Sequence, residues 1–317
     1  MSVLIRAPTR EYRSPTTDSH RWDGFKPRTG DIVVATYPKC GTTWTQRIVD
    51  LLLHQSAEPR LILQLYPWLD ATFFAPIEVD LATLEAQTSR RAVKSHLPLD
   101  SLPIYDDVKY IHVARDGRDA CFSFHNHRLA MKPEANATIG AQATDPRFTP
   151  PVPTPEDPRD FYLNWIAEAE ATDVGGFGHD LPFCEFEMTY WRERHRPNLL
   201  MAHYNDLKVD LAGEMRRISD FLEIDTPASL LPELAKAAEF ETMKAQGAGL
   251  MPALDFVFEG GSDRFLNKGT NGRWKGVLTE NDLARFDAVM RERLSLDAAA
   301  WLTGGRLAAG DPTTLAD

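Results

Sequence analysis

Cysteine is scarce in this 317-residue chain: Cys40, Cys121 and Cys184 lie far apart, with no Cys-x-x-Cys spacing. That excludes a disulfide framework and a cysteine-based zinc site, and makes a reducing cytoplasm the expected setting. Long apolar runs are missing as well. No stretch approaches the ~20 apolar residues of a membrane span, and Leu51 to Leu53 is cut off by Asp50 and His54. The first twenty residues carry Arg6, Arg10, Glu11, Arg13 and Asp18 and no apolar run longer than Val3 to Ile5, so no signal peptide is expected. Positive charge is in deficit, 35 Lys+Arg against 46 Asp+Glu, for a formal charge of −11. Such a chain lacks the basic face of a nonspecific nucleic-acid binder, and neither nucleic acid nor membrane is expected as a partner. Any anionic ligand must be held by a local gathering of cations.

What is present is enough apolar surface, 43% hydrophobic residues, for a sizeable core. Four short runs rich in β-branched residues read as strands buried on both faces: Asp31 to Tyr37, Ala92 to His96, Val108 to Arg115 and Leu199 to Tyr204. Helical patterns lie between them. Trp44, Ile48, Leu51 and Leu52 form one stripe on a helix starting near Thr42 or Thr43, and a second helix follows from near Gly117. Further helices are expected over Phe161 to Thr172, Asp210 to Leu222, Ala228 to Phe240 and Glu280 to Leu294. Strands separated by helices predict one α/β domain with a central, mainly parallel sheet flanked by helices. Its expected limits are 31–303, after an N-terminal extension at 1–30 and before a frayed tail at 304–317. Within it, 131–159 holds seven prolines and reads as a long loop, a lid or a surface insertion, and Gly247 to Asp263 as a second loop.

The strongest local signal is Tyr37-Pro38-Lys39-Cys40-Gly41-Thr42-Thr43-Trp44, a junction of buried strand and amphipathic helix. Such a junction aims free backbone N–H groups and the positive end of the helix dipole at one point, a P-loop-like anion site. Lys39 adds charge, Gly41 lets the backbone come close, and Thr42 and Thr43 add hydroxyls. Trp44 is either core or a surface for stacking a base. The order is not that of a Walker A loop, in which the lysine follows the last glycine. At the end of the third strand, Arg115 with Ser123 on the next helix suggests a second anion contact at the sheet's carboxyl edge. The second strand ends Lys94-Ser95-His96. Strand alternation points Lys94 and His96 the same way, a pairing suited to withdrawing a proton while neutralising developing charge. A nearby ammonium also favours the neutral imidazole that a base requires. His125 and His127 have no supporting metal constellation, and no metal is expected.

These segments together resemble the cytosolic-type sulfotransferases that use 3′-phosphoadenosine 5′-phosphosulfate (PAPS). Tyr37 to Trp44 resembles their 5′-phosphosulfate loop, Lys94-Ser95-His96-Leu97-Pro98 their catalytic Lys-x-His-Leu-Pro segment, and Arg115 through Ser123 their 3′-phosphate motif. Tyr204-Asn205-Asp206-Leu207-Lys208, Phe240 with Met243-Lys244, and Asn267-Lys268-Gly269 with Gly272-Arg273-Trp274-Lys275 are similar to later segments, in the family's order. The resemblance implies that PAPS is the co-substrate and that Lys39, Thr42 and Thr43, in the loop with Cys40 and Gly41, hold its 5′ end. It implies that Arg115, Ser123, Lys268 and Gly269, beside Asn267, hold the 3′-phosphate, and that Trp44, Tyr204 and Phe240 flank the adenine. His96 would be the base, with Lys39, Lys94 and Ser123 completing the catalytic set.

Departures from the pattern carry expectations of their own. Cys40 stands in a serine position at a helix N-terminus, which favours thiolate and predicts oxidation-sensitive activity. Asn267 stands where the family has arginine and weakens the 3′ grip, for which Arg273 compensates. The family's dimer motif survives only as Lys275 and Thr279, leaving a homodimer open but without its usual contact. Trp68, Phe73, Phe74, Phe148 and Phe256, in expected loops, suggest a small apolar or phenolic acceptor bearing a hydroxyl or amine. The rival readings are a P-loop kinase-like phosphotransferase and a noncatalytic nucleotide sensor.

Overall fold

The computed structural model describes residues 2–142, 153–170 and 181–316. All four expected strands form, each close to its predicted limits: β2 (Ile32–Ala35), β3 (Ala92–Ser95), β5 (Lys109–Ala114) and β6 (Leu199–His203). They pair in parallel in the order β3-β2-β5-β6. A separate antiparallel ribbon joins β1 (Leu4–Arg6) to β4 (Ile104–Tyr105). The two-residue period of the strands divides the interior. Ile32, Val34, Ile111, Val113, Leu200 and Ala202 face one core. Val33, Ala35, Tyr110, Ala114, Leu199 and Met201 face the other. The helix Thr42–His54 lays Ile48, Val49, Leu51 and Leu52, all fully buried, on the first of these cores. This two-sided burial is why the strands read as nearly continuous apolar runs.

The helices Gly117–Ala130, Pro158–Glu170, Leu211–Phe221 and Glu280–Arg293 match the sequence expectations. The expected helix to Phe240 instead divides into Leu231–Ala238 and Phe240–Ala245. Helices at Ile77–Ala86 and Phe183–Trp191 were not expected, the latter being buried nearly all round, so its pattern carries no stripe. Two loop readings are corrected. Part of the proline-rich segment is the helix Pro133–Gln142, because a proline at the first helical position sacrifices only an N–H that has no helical partner anyway; residues 143–152 of that segment, and Phe148 with them, lie outside the described residues. The stretch 247–263 contains Gly247–Leu250, Leu254–Val257 and the start of Gly261–Leu266, short helices that a glycine-rich composition concealed.

Neither terminus is an appendage. Trp22 and Tyr12 are buried, the Trp22 indole N–H donates to Asp70 Oδ1 (3.3 Å) and the Tyr12 hydroxyl to Asp100 (3.1 Å). At the other end Asp206 accepts from the backbone N–H groups of Arg306 (2.7 Å) and Leu307 (3.0 Å), capping the helix Arg306–Ala309. Buried Arg194 donates to the carbonyls of Pro312 (2.8 Å) and Leu315 (3.0 Å). The tail is thus docked rather than frayed. No helix among the described residues is long and apolar enough to cross a membrane.

Removing residues 311–317 withdraws two carbonyl partners from the buried Arg194 guanidinium. The expected cost is about 1–3 kcal/mol, read as a lower denaturant midpoint; an unchanged midpoint would show the tail to be dispensable.

Candidate active site

The anion loop follows β2, an interior strand of the sheet. Lys39 and Gly41 both adopt left-handed backbone, φ 69° and 110°. A Cβ at Gly41 would meet the Tyr204 ring at 3.0 Å, so only glycine lets loop and ring approach. The helix beginning at Thr42 has no side-chain cap, which leaves its first N–H groups available to a ligand. The hydroxyl pair Thr36–Thr42 (2.6 Å) ties the loop to the strand end.

The loop opens onto a cavity of about 1470 Å³. Every site residue expected from sequence lines it except Cys40: Lys39, Gly41, Thr42, Thr43, Trp44, Lys94, His96, Arg115, Ser123, Tyr204, Phe240, Asn267, Lys268 and Gly269 are all in its wall. Cys40 is a correction. Its side chain is buried in the core behind the loop, and burial, foremost, drives its thiol well above the ordinary value. Desolvation outweighs the helix terminus, so the expectation of a reactive thiolate does not hold. Phe256 is a second correction, since it is 83% exposed and outside the cavity, whereas Trp68, Phe73 and Phe74 line it.

Cations dominate one end. Arg115 donates to the Lys39 carbonyl (3.0 Å) and to Asn271 Oδ1 (2.7 Å), and its guanidinium lies 4.0 Å from the centroid of the Tyr204 ring. Trp44 meets the same ring edge-on (5.2 Å) while donating to the Ala238 carbonyl (2.7 Å), so it serves both core and cavity. Gly269, φ 61°, presses on Phe240: a Cβ there would sit 2.4 Å from the ring. Two buried donors, Arg115 Nε and Asn267 Nδ2, have no partner among the described residues. Phosphate oxygens would satisfy both, and the asparagine that replaces the family's arginine therefore still offers a donor. Arg273 lines the same cavity.

At the junction with the other end, the His96 ring lies with Nδ1 2.8 Å from the Thr36 carbonyl, and its backbone N–H donates to Asp70 Oδ2 (3.0 Å). A carbonyl can only accept, so Nδ1 carries the proton and Nε2 is the basic nitrogen of the neutral ring. Lys94 Nζ sits 4.3 Å from the centroid of Trp68, whose ring meets His96 edge-on at 4.8 Å. Burial, then Lys94 and Arg115, lower Lys39 to about 7. Burial lowers Lys94 to about 8, with Asp70 opposing.

Sequence reasoning missed several wall residues. His127 lies 3.3 Å from Lys39 Nζ, and burial, then Lys39 and Lys94, hold it well below the usual histidine value. Its signal was there to find: His127 is four residues after Ser123, on the same helical face. Asp70 and Tyr12 to Thr17 gave none, being set by tertiary packing.

Comparison with known proteins gives the family and the fold. The family profile described as "Sulfotransferase domain" matches residues 29–297. A glycolipid sulfotransferase of Mycobacterium bovis is 34% identical over 310 residues, covering 93% of this chain and 94% of that one. In fold, the chain is similar to retinol dehydratase, solved with androsterone and the inactive cofactor PAP (TM-score 0.68, 23% identity, 87% of this chain and 84% of that one). It is similar too to a mouse sulfotransferase complexed with PAP (TM-score 0.67, 22% identity, 90% and 92%).

Because Lys39 is lowered to about 7, a bound polyanion should raise its pKa and draw a proton onto the protein. At pH 7.5, calorimetry with adenosine 3′,5′-bisphosphate in buffers of different ionisation heat should register proton uptake, reduced in Lys39→Ala. Equal uptake in the two proteins would remove Lys39 from the 5′ site.

Proposed function

The chain belongs to the sulfotransferase family, and from that premise we propose that it moves the sulfuryl group of PAPS to a hydroxyl on a small apolar acceptor, with His96 as general base. The donor supplies an activated sulfuryl group. Lys39, Thr42, Thr43 and the N–H groups opening the helix Thr42–His54 hold its 5′ end. Arg115, Ser123, Asn267, Lys268 and Gly269 take the 3′-phosphate, helped by Arg273, while Trp44, Tyr204 and Phe240 flank the base. His96 Nε2 accepts the acceptor's proton as the acceptor oxygen bonds to sulfur and the bond from sulfur to the 5′-phosphate oxygen breaks. Lys39 and Lys94 neutralise the charge that gathers on the leaving oxygen and the sulfuryl oxygens. Ser123 is assigned to this catalytic group as well as to the nucleotide.

One observation carries the reading: the Thr36 carbonyl fixes the tautomer of His96, beside Lys94, where the cationic and aromatic ends of one cavity meet. The acceptor class rests on Trp68, Phe73, Phe74, Phe124 and Phe258 in the wall. The cavity is also larger than the ~300–1,000 Å³ of an ordinary ligand pocket, which suits two substrates held together. The names of the glycolipid sulfotransferase relative and of the androsterone complex point the same way, to a hydroxyl on a lipophilic body. Three buried free thiols support a cytoplasmic setting. No observation favours the kinase-like or the noncatalytic reading.

His96→Ala should retain affinity for adenosine 3′,5′-bisphosphate while transfer falls by about 10²-fold or more, the loss expected for a general base. Labelled PAPS offered with steroid alcohols, phenols, aliphatic alcohols and amines reads out both turnover and acceptor class. Unchanged turnover in the variant would remove His96 from the chemistry.

A further inference from the structure

Asp70 is fully buried, and its carboxylate holds two residues of the cavity wall, Trp68 and His96. Oδ2 accepts from the Trp68 indole N–H (2.6 Å) and from the His96 backbone N–H (3.0 Å). Oδ1 accepts from the Trp22 indole N–H (3.3 Å), and the Ser95 hydroxyl donates as well. Its backbone carbonyl takes the N–H of Asp18 (2.9 Å), binding the N-terminal segment to the same point. Residues 67–69 run along β3, with Lys94 N–H donating to the Pro67 carbonyl (2.9 Å) and Leu69 N–H to the Lys94 carbonyl (3.1 Å). Asp70 therefore sits at the end of an added strip beside the catalytic strand.

We infer that Asp70 is a positioning residue of sulfuryl transfer: through one carboxylate it clamps Trp68 against Lys94 and His96 and lends a negative charge to the buried lysine. The inference rests on the assignment of Lys94 to the reaction. A buried carboxylate without an ion pair is costly unless its oxygens are filled by donors, and here four donors from three chain segments fill them. The indole it holds covers Lys94 Nζ at 4.3 Å, a cation–π contact that favours the ammonium. The other charged or titratable groups acting around Lys94 are Lys39 after β2, His127 on the helix Gly117–Ala130 and His96 two residues on. The two lysines repel, so Asp70 is the carboxylate that counters burial at Lys94.

The direct test reads Lys94 without catalysis, by acetic anhydride labelling at graded pH and mass spectrometry. In Asp70→Asn the labelling midpoint of Lys94 should move down from about 8, by about half a unit or more. The basic limb of kcat should move down with it, while affinity for adenosine 3′,5′-bisphosphate stays unchanged. An unmoved midpoint in a folded Asp70→Asn protein overturns the inference. Trp68→Phe provides the second variant: it keeps the ring and the carboxylate charge but removes the indole N–H. Its kcat should fall severalfold, with the Lys94 midpoint moving down by less than in Asp70→Asn, since the ring loosens but the carboxylate charge stays. An equal midpoint shift in both variants, or a Trp68→Phe protein with full kcat, also overturns it. Failure of His96→Ala to lose activity would strike the general-base assignment and leave the labelling result standing.

Discussion

Everything at this site follows from positive charge gathered, without ion pairs among the described residues, at one edge of the sheet. Lys39, Lys94 and Arg115 come to the carboxyl edge of one parallel sheet from the ends of β2, β3 and β5. The fold permits the gathering because adjacent parallel strands end side by side. Burial leaves both lysines with depressed pKa values, and repulsion from Lys94 and Arg115 depresses Lys39 further. Such a gathering of cations favours a polyanionic ligand, which would raise both pKa values.

The hydrogen bonds of the nucleotide end keep that charge undiluted. Arg115 donates to the Lys39 carbonyl and the Asn271 amide oxygen, Lys208 to the Gly269 carbonyl and Lys244 to the Asn267 carbonyl. All of these acceptors are neutral, so the cations are oriented without being paired. Arg118, only three residues from Arg115, is bound twice to Asp116 and contributes its charge to a helix terminus instead. Asp70, the carboxylate that acts on Lys94 among the described residues, is saturated by donors.

The parts of this design that were legible in the sequence are those fixed by local chemistry. Strands buried on both faces announce themselves as apolar runs, and the Lys39-to-Thr43 turn and the Lys94/His96 pair are each carried by adjacent residues. Cys40 misled because the position of a residue at a helix start says nothing of which way the side chain turns; here it turns into the core, and desolvation prevails. The proline count at 131–159 overrode the helix-forming stretch from Glu134 to Gln142, although only Pro133 bears on that helix and it stands at the tolerated first position. His127 was legible from its i, i+4 spacing to Ser123 and was passed over, whereas Asp70 and the Tyr12 to Thr17 segment depend on contacts between distant parts of the chain, which no single stretch encodes.

The N-terminal segment bears on how this scaffold diversifies. The nucleotide grip is built almost wholly from loops at the sheet edge, whereas residues 11–17 approach the cavity from outside the sheet, pinned by the Trp22–Asp70 contact. Part of the cavity wall is thus encoded in a leading stretch of the gene, apart from Trp68, Phe73, Phe74, Phe124 and Phe258, which line it from later segments. Drift confined to the leading stretch can reshape that part of the wall and leave the loops at the sheet edge undisturbed.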